Sequence, residues 1–374
     1  MRMKILLNQK NPDNMFNAEK EYAPFLKAGI IGKTGWSSPS NIALIKYWGK
    51  KSNQVPQNPS LSMSLRESRT VTFVTWEIVE EAFSYEFLFE GSRNVAFEPK
   101  LDLFFEQIIP LLPYLKNMRL TIQSSNTFPH STGIASSASA MSALALCLVD
   151  IDMQLTGMQM DMPDFLQNAS YVARIGSGSA ARSVYPNFAV WGETDLVPGS
   201  SNLFASPVSI DSSSFFSGLQ DAILIVSSEK KEVSSSLGHN LMRTNPYASS
   251  RYHQANLNLS LLYSALQKED QKEFIRIVEN EALSLHGLMM GSEPGFILMK
   301  HGTIEIIKRV RKFRDETGIF ITFTLDAGPN VHILYHEDDE YDVRNFVEED
   351  LLVFAENHRV IWDGIGNGPE KITS

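Results

Sequence analysis

The segment Pro129-His-Ser-Thr-Gly133-Ile-Ala-Ser136-Ser137-Ala-Ser139 runs straight into an apolar stretch, Ala138 to Val149. A loop of small residues opening a buried helix restricts the folds open to the chain. Its first turn carries unpaired N–H groups and a partial positive charge, so it can cradle phosphate. Gly133 permits tight backbone geometry, and Ser136, Ser137 and Ser139 can cap the helix or contact phosphate oxygens. The alternative is an ordinary serine-capped core helix. At about a dozen residues the apolar run is shorter than the roughly 20 a bilayer span needs.

With 374 residues, two domains are expected. Hydrophobic residues at 43% and charged residues at 20% argue against disorder. There are 33 Lys plus Arg against 43 Asp plus Glu, a formal charge of −10, which disfavours sequence-independent nucleic-acid binding. A small anion in a local basic pocket remains compatible with that balance. The single cysteine, Cys147, excludes an internal disulfide and a cysteine-based zinc cage, and points to a reducing, cytoplasmic setting. The N-terminus, Met1-Arg-Met-Lys-Ile-Leu-Leu, turns polar after three apolar residues, too few for a secretory signal. We therefore expect a soluble protein that binds no nucleic acid and no membrane.

Residues 1–35 are polar and irregular and read as an N-terminal extension. Trp36–Ala43 reads as a loop entering a strand. Ser60–Leu65, Thr70–Val79, Met118–Gln123, Phe188–Gly192 and Asp221–Val226 read as strands. Helical periodicity marks Asp164–Ala173, Ala255–Leu266, Glu273–Leu288 and Thr303–Phe313. A hairpin is expected from Gly318–Leu325 and Val331–Tyr335. The Pro/Gly/Ser-rich stretch Glu193–Ser201 suggests a boundary, dividing the chain into 36–195 and 196–374. Strands and helices mix without a βαβ repeat, which gives two α+β domains.

Two motifs are decoys. Gly32-Lys33-Thr34 lacks the upstream glycine of a P-loop, and Gly176–Ala181 follows a helix where a dinucleotide fingerprint follows a strand. Three further segments carry chemistry. Asn41-Ile-Ala-Leu-Ile-Lys46-Tyr47-Trp48-Gly49-Lys50 places Lys46 at the end of an apolar run. There it needs an anionic partner if buried, or is simply a surface lysine. Arg174-Ile-Gly-Ser177-Gly178-Ser179-Ala-Ala-Arg182 joins small hydroxyl residues to a guanidinium suited to carboxylate or phosphate, or is a structural turn. Asp326-Ala-Gly-Pro-Asn330 puts a carboxylate at a strand end, to act on a hydroxyl or merely to cap the turn. The eight histidines show no metal-ligand spacing, and His286 reads as a hydrogen-bonded core residue.

Together, and in their order along the chain, the four segments resemble the diphosphomevalonate decarboxylase family of the GHMP kinase superfamily. The resemblance covers the chain from about residue 36 to its end. Leu61–Leu65 and Lys231–Ser236 add support. It implies a ribosomal-protein-S5-like N-terminal domain that binds nucleotide and a ferredoxin-like C-terminal domain, with the active site between them. It also implies ATP and Mg²⁺, with metal ligands that the sequence does not identify, and a homodimer. The implied reaction converts mevalonate 5-diphosphate to isopentenyl diphosphate, ADP, phosphate and CO₂. By resemblance, Asp326 orients or deprotonates the 3-hydroxyl, Lys46 neutralises charge on the transferring phosphoryl group, and Arg182 holds the substrate carboxylate. Tyr47, Lys50, Ser177, Gly178, Ser179, Ser235 and Ser236 line the substrate, and Gly133, Ser136, Ser137 and Ser139 hold the ATP phosphates.

The chain departs from the family pattern at several points. Pro129-His-Ser-Thr-Gly133 stands for Pro-Thr-Ala-Ala-Gly, Ala181 for Cys, Ser236 for Thr and Gly238-His239 for Gly-Met. The neighbouring readings are a mevalonate 5-phosphate decarboxylase, a mevalonate 3-kinase, or a ligand-binding regulator without turnover.

Overall fold

A computed structural model describes residues 27–51, 54–129, 136–157, 159–229 and 235–373. Of the expected N-terminal extension, residues 1–26 lie outside it, as does Gly133.

The first sheet is built on two long antiparallel strands, β1 (Ile31–Ala43) and β2 (Ser60–Ile78). β3 (Ser84–Phe89), β4 (Ser92–Arg93) and α1 (Glu98–Ile108) follow, then β5 (Met118–Asn126). Next come α2 (Ser136–Thr156), α3 (Met162–Gly176), β6 (Phe188–Trp191) and β7 (Ala205–Val208). With the final strand β12 (Glu370–Lys371), the sheet order is β12-β1-β2-β5-β3-β4, with β6 paired to β2 and to β7. The second sheet, in order β11-β8-β10-β9, uses β8 (Leu219–Leu224), β9 (Ile321–Thr324), β10 (Val331–His336) and β11 (Val360–Gly364). Its helices are α4 (Ser235–Leu241), α5 (Ala248–Lys268), α6 (Gln271–Met290), α7 (His301–Thr317) and α8 (Glu340–Phe346). β12 (Glu370–Lys371) returns the chain end to β1.

Several sequence expectations are corrected. Trp36–Ala43 is the interior of β1, not a loop, and the strand begins within the expected extension. Its serines hid it, because their polarity is satisfied inside the core: Ser38 donates to Ser142 Oγ at 2.6 Å and Asn41 to Ser183 Oγ at 2.8 Å. Ser60–Leu65 and Thr70–Val79 are one strand. The charged break between them is bridged by Asp363, whose carboxylate accepts the peptide N–H groups of Arg66, Glu67 and Ser68 at 2.8–2.9 Å. Gly318 does not start a strand; it ends α7 in the left-handed region at φ +73°. The chain leaves the first sheet only after β7, which lies beyond residue 195.

α2 is 21 residues long and, by length and composition, apolar enough to cross a bilayer. Fifteen of its residues, including Ala138 and Leu146, are buried inside the protein, so its apolar character belongs to the core. A second core joins the two sheets. Ile42, Leu44, Ile45 and Leu61 from the first half pack with Leu219, Ile223, Leu259 and Ile277 from the second. Apolar burial therefore fixes the two halves against each other at the place where Lys46 emerges.

Candidate active site

Just after β1, the run Leu44-Ile45 is fully buried and carries Lys46 into the junction between the halves. Lys46 is 2% exposed. Its ammonium donates to Asp326 Oδ1 at 3.1 Å. Asp326 follows β9, in a turn where Gly328 N–H donates to its own carbonyl at 2.8 Å and His286 Nε2 lies 3.1 Å from that same oxygen. His286 is thus the hydrogen-bonded core residue expected. Burial pulls the Lys46 ammonium below its usual range, and the Asp326 carboxylate opposes that pull.

The Lys46 backbone is held as tightly as its side chain. Its N–H donates to Glu281 Oε2 at 2.9 Å, and its carbonyl accepts from Asn58 at 3.1 Å and Arg251 at 3.3 Å. Glu281 and Arg251 are themselves a buried ion pair. Asn258 also donates to Glu281, at 2.6 Å.

Arg182 ends a single 3₁₀ turn, Gly178–Arg182, that follows α3. Its guanidinium is buried, bonded through Nη1 to Ser60 Oγ and through Nη2 to Asn41 Oδ1 at 3.4 Å. Its carbon lies 5.7 Å from the Tyr47 ring centre. Among the described residues no carboxylate pairs with it, and its buried Nε has no partner. Burial draws its pKa down to about 10. A desolvated cation whose hydrogen-bond partners among the described residues, Ser60 and Asn41, are both neutral favours an anion in the adjoining space.

That space is a cavity of about 870 Å³. Lys46, Tyr47, Lys50, Ser136, Ser137, Ser177, Ser179, Arg182 and Asp326 all line it. The acid from the C-terminal half and the two cations from the N-terminal half thus share one chamber. Gly178 sits behind the wall, where an added Cβ would meet Trp191 ring carbon at 2.6 Å. Ser139 does not reach the cavity; it is fully buried, and its hydroxyl shares a 2.6 Å hydrogen bond with Thr70 on β2. Ser235 and Ser236 begin α4, but their side chains are outside the described set.

Among the lining residues that sequence reasoning missed, two carry titratable side chains. Lys100, on α1, donates to Ser137 Oγ at 2.6 Å, and burial together with nearby Lys50 lowers its pKa to about 8. Burial alone lowers Lys50 to about 8. Nothing in the Lys100 stretch distinguishes it from a surface helix lysine. His239, on α4, also faces the cavity, and its only sequence signal was its place in Gly238-His239.

The geometry coincides with two family models. Residues 38–202 match the diphosphomevalonate decarboxylase-like N-terminal domain, and 222–369 match the mevalonate 5-diphosphate decarboxylase C-terminal domain. The diphosphomevalonate decarboxylase mvd1 of Aspergillus fumigatus is 30% identical over 81% of this chain and 76% of its own length. This chain belongs to the diphosphomevalonate decarboxylase family. The diphosphomevalonate decarboxylase of Candida albicans is 27% identical over 90% of this chain and 96% of its own.

Solved structures agree. Mevalonate diphosphate decarboxylase from Staphylococcus aureus superposes with a TM-score of 0.78 at 29% identity, covering 92% of this chain and 99% of that one. MDDEF in complex with MVAPP, AMPPCP and magnesium gives 0.78 at 26%, covering 92% and 100%. The two-sheet α+β architecture is accordingly the GHMP kinase fold of this decarboxylase family, with its S5-like N-terminal and ferredoxin-like C-terminal domains.

Proposed function

We propose that the protein is an ATP-dependent carboxy-lyase that converts mevalonate 5-diphosphate to isopentenyl diphosphate, ADP, phosphate and CO₂. The observation that carries this reading is the Lys46–Asp326 contact inside a chamber that Arg182 also enters. Phosphoryl transfer to a tertiary alcohol, followed by loss of CO₂, needs an acceptor for the hydroxyl proton, a cation on the transferring group and an anchor for the carboxylate.

The residues divide that work. Asp326 accepts the proton of the 3-hydroxyl, and Lys46, 3.1 Å from that carboxylate, offsets charge on the phosphoryl group. Once the 3-oxygen carries phosphate, its C–O bond breaks and C3 becomes electron-poor. Arg182 holds the carboxylate so that the electrons of the breaking C–C bond flow into the new double bond as CO₂ leaves. Tyr47, Lys50, Ser177 and Ser179 line the region assigned to the rest of the substrate, with Ser235 and Ser236 joining them by family resemblance.

Ser136 and Ser137, in the first turn of α2, and Lys100 beside them suit the ATP phosphates. The residues present fit Mg²⁺ carried on ATP. Among the described residues no cluster of three His, Cys, Asp or Glu forms a protein cage, and serine hydroxyls lie where phosphate oxygens would supply most ligands. Bound there, the metal would neutralise charge on the phosphates, with Ser136 or Ser137 as a hydroxyl ligand.

The homodimer rests on family resemblance, and light scattering of the purified chain tests it. The cytoplasmic setting rests on the lone, buried Cys147 and is tested by fractionation.

The deciding experiment incubates the protein and ATP separately with mevalonate 5-phosphate and 5-diphosphate, and follows ADP, phosphate and CO₂. Equal release of all three from the diphosphate is the expected result. ADP without CO₂, or preference for the monophosphate, would replace this reading with one of its neighbours.

A further inference from the structure

His239 is positioned differently from the other lining groups. Its ring stacks on Tyr47 at 4.8 Å between centroids and tilts against Trp48 at 4.6 Å. The side chain is 6% exposed yet borders the cavity. Its Nδ1 accepts the peptide N–H of Gly49 at 2.9 Å. That donor is itself fixed. Gly49 has φ +106°, and a Cβ there would lie 2.3 Å from Tyr252 Oη, so neither the backbone angle nor the space admits a side chain.

An imidazole that accepts at Nδ1 must carry its proton on Nε2. Among the described residues no group accepts from that Nε2–H. Burial first, and the charge of Lys50 second, push the imidazole's pKa down to about 3, so the ring stays neutral through the physiological range. The Lys50 contribution also places the ring within electrostatic reach of that ammonium. Lys50, Tyr47 and His239 all line the chamber, which thus offers both an ammonium and an uncharged donor.

We propose that His239 is a substrate-binding residue whose Nε2–H donates to a phosphate oxygen at the 5-end of phosphorylated mevalonate, beside Lys50. The assignment rests on the proposed function and deepens it. A neutral, fixed donor recognises an anionic oxygen without adding charge to a chamber that already holds Lys46, Lys50, Lys100 and Arg182. The two rings against it hold its plane, so little rotational freedom is lost on binding.

The test compares His239→Phe, which keeps the ring stack but loses both the Nε2 donor and the acceptor for Gly49 N–H, with His239→Gln, which restores an N–H near the Nε2 position, and with His239→Asn, which can restore the Gly49 acceptor without reaching the Nε2 position. A hydrogen bond to a charged oxygen is worth about 1.5–3 kcal/mol, about a 10- to 100-fold change in affinity. The Phe variant should raise KM for mevalonate 5-diphosphate by about that factor and leave KM for ATP unchanged; the Gln variant should recover most of the loss and the Asn variant should not. A Phe variant with the parental KM would overturn the assignment.

Imidazole ¹⁵N spectra of the full chain give a second readout that does not depend on any variant folding. His239 should show the Nε2–H neutral form from pH 5 to 8, and that resonance should move on adding mevalonate 5-diphosphate but not AMPPCP. Titration within this range, or a resonance indifferent to the diphosphate, would also overturn it. If the parental protein turns over no phosphorylated mevalonate, the proposed function fails. If turnover is intact and neither KM nor the spectrum responds, only the role of His239 fails.

Discussion

Glu281, in the middle of α6, accepts the peptide N–H of Lys46 at 2.9 Å, so a helix of the C-terminal half sets the position of a lysine that enters from the N-terminal half. The same helix supplies His286, whose Nε2 lies 3.1 Å from the Asp326 carbonyl oxygen. Both members of the Lys46–Asp326 pair are thus located by one rigid element, and their 3.1 Å separation does not depend on the flexibility of either side chain alone.

Removing the Glu281 charge should be costly. Glu281→Gln leaves Arg251, itself 4% exposed, without its counter-charge. Breaking a buried pair by removing one partner costs about 3–5 kcal/mol. Denaturant unfolding should show a loss of that order. The double variant Glu281→Leu, Arg251→Met should recover a substantial part of it, while activity stays low because the Lys46 peptide has lost its acceptor. Equal stability of the parent and Glu281→Gln would show that the pair contributes nothing.

Activity should fall on the alkaline side. Burial lowers the pKa of Lys50 and of Lys100 to about 8, and the nearby charge of Lys50 adds to the effect on Lys100. Phosphate recognition requires their ammonium forms, which predominate below that pH and are lost above it. The profile of kcat/KM, which reports free-enzyme ionisations, should therefore turn downward as pH rises through about 8. Lys50→Arg, with a cation that does not titrate in this range, should flatten the limb for phosphorylated mevalonate. A flat profile in the parent up to pH 10 would contradict the assignment of these lysines to phosphate.

Arg182→Lys tests planarity against charge. The guanidinium uses Nη1 and Nη2 on Ser60 and Asn41, an arrangement that an ammonium cannot reproduce. We expect kcat/KM for mevalonate 5-diphosphate to drop by about 10- to 100-fold, the worth of a charged hydrogen bond, with KM for ATP unchanged. Unaltered kcat/KM would remove Arg182 from carboxylate recognition.

What the sequence disclosed and what it concealed follow from where polarity is satisfied. The glycine- and serine-rich segments around Lys46, Ser136, Arg182 and Asp326 were readable because chemistry demanded rare combinations within short stretches. β1 was hidden because Ser38 and Asn41 find their partners on residues more than a hundred positions away. Ser139 was misplaced by the same ambiguity: a hydroxyl at the start of a helix can serve a ligand or a neighbouring strand, and Thr70 decides the matter only in three dimensions. Lys100 and Glu281 carry no local signal. Each acquires meaning only through an element brought to it by the packing of the two halves.

Asp326→Asn separates binding from chemistry. The substitution keeps an oxygen able to accept from Lys46, and it leaves the backbone contacts to His286 and Gly328 untouched, so the turn should keep its shape. What it removes is the basic carboxylate. Loss of a positioned general base lowers rates by about 100- to 10,000-fold. Turnover should fall by that order while the dissociation constant for ATP, measured by calorimetry, stays within about twofold, since an interaction made only in the transition state leaves ground-state binding unchanged. The thermal midpoint should remain near that of the parent, which excludes unfolding as the cause. Parental turnover in this variant would show that the hydroxyl proton leaves by another route, and Asp326 would then be a positioning group for Lys46.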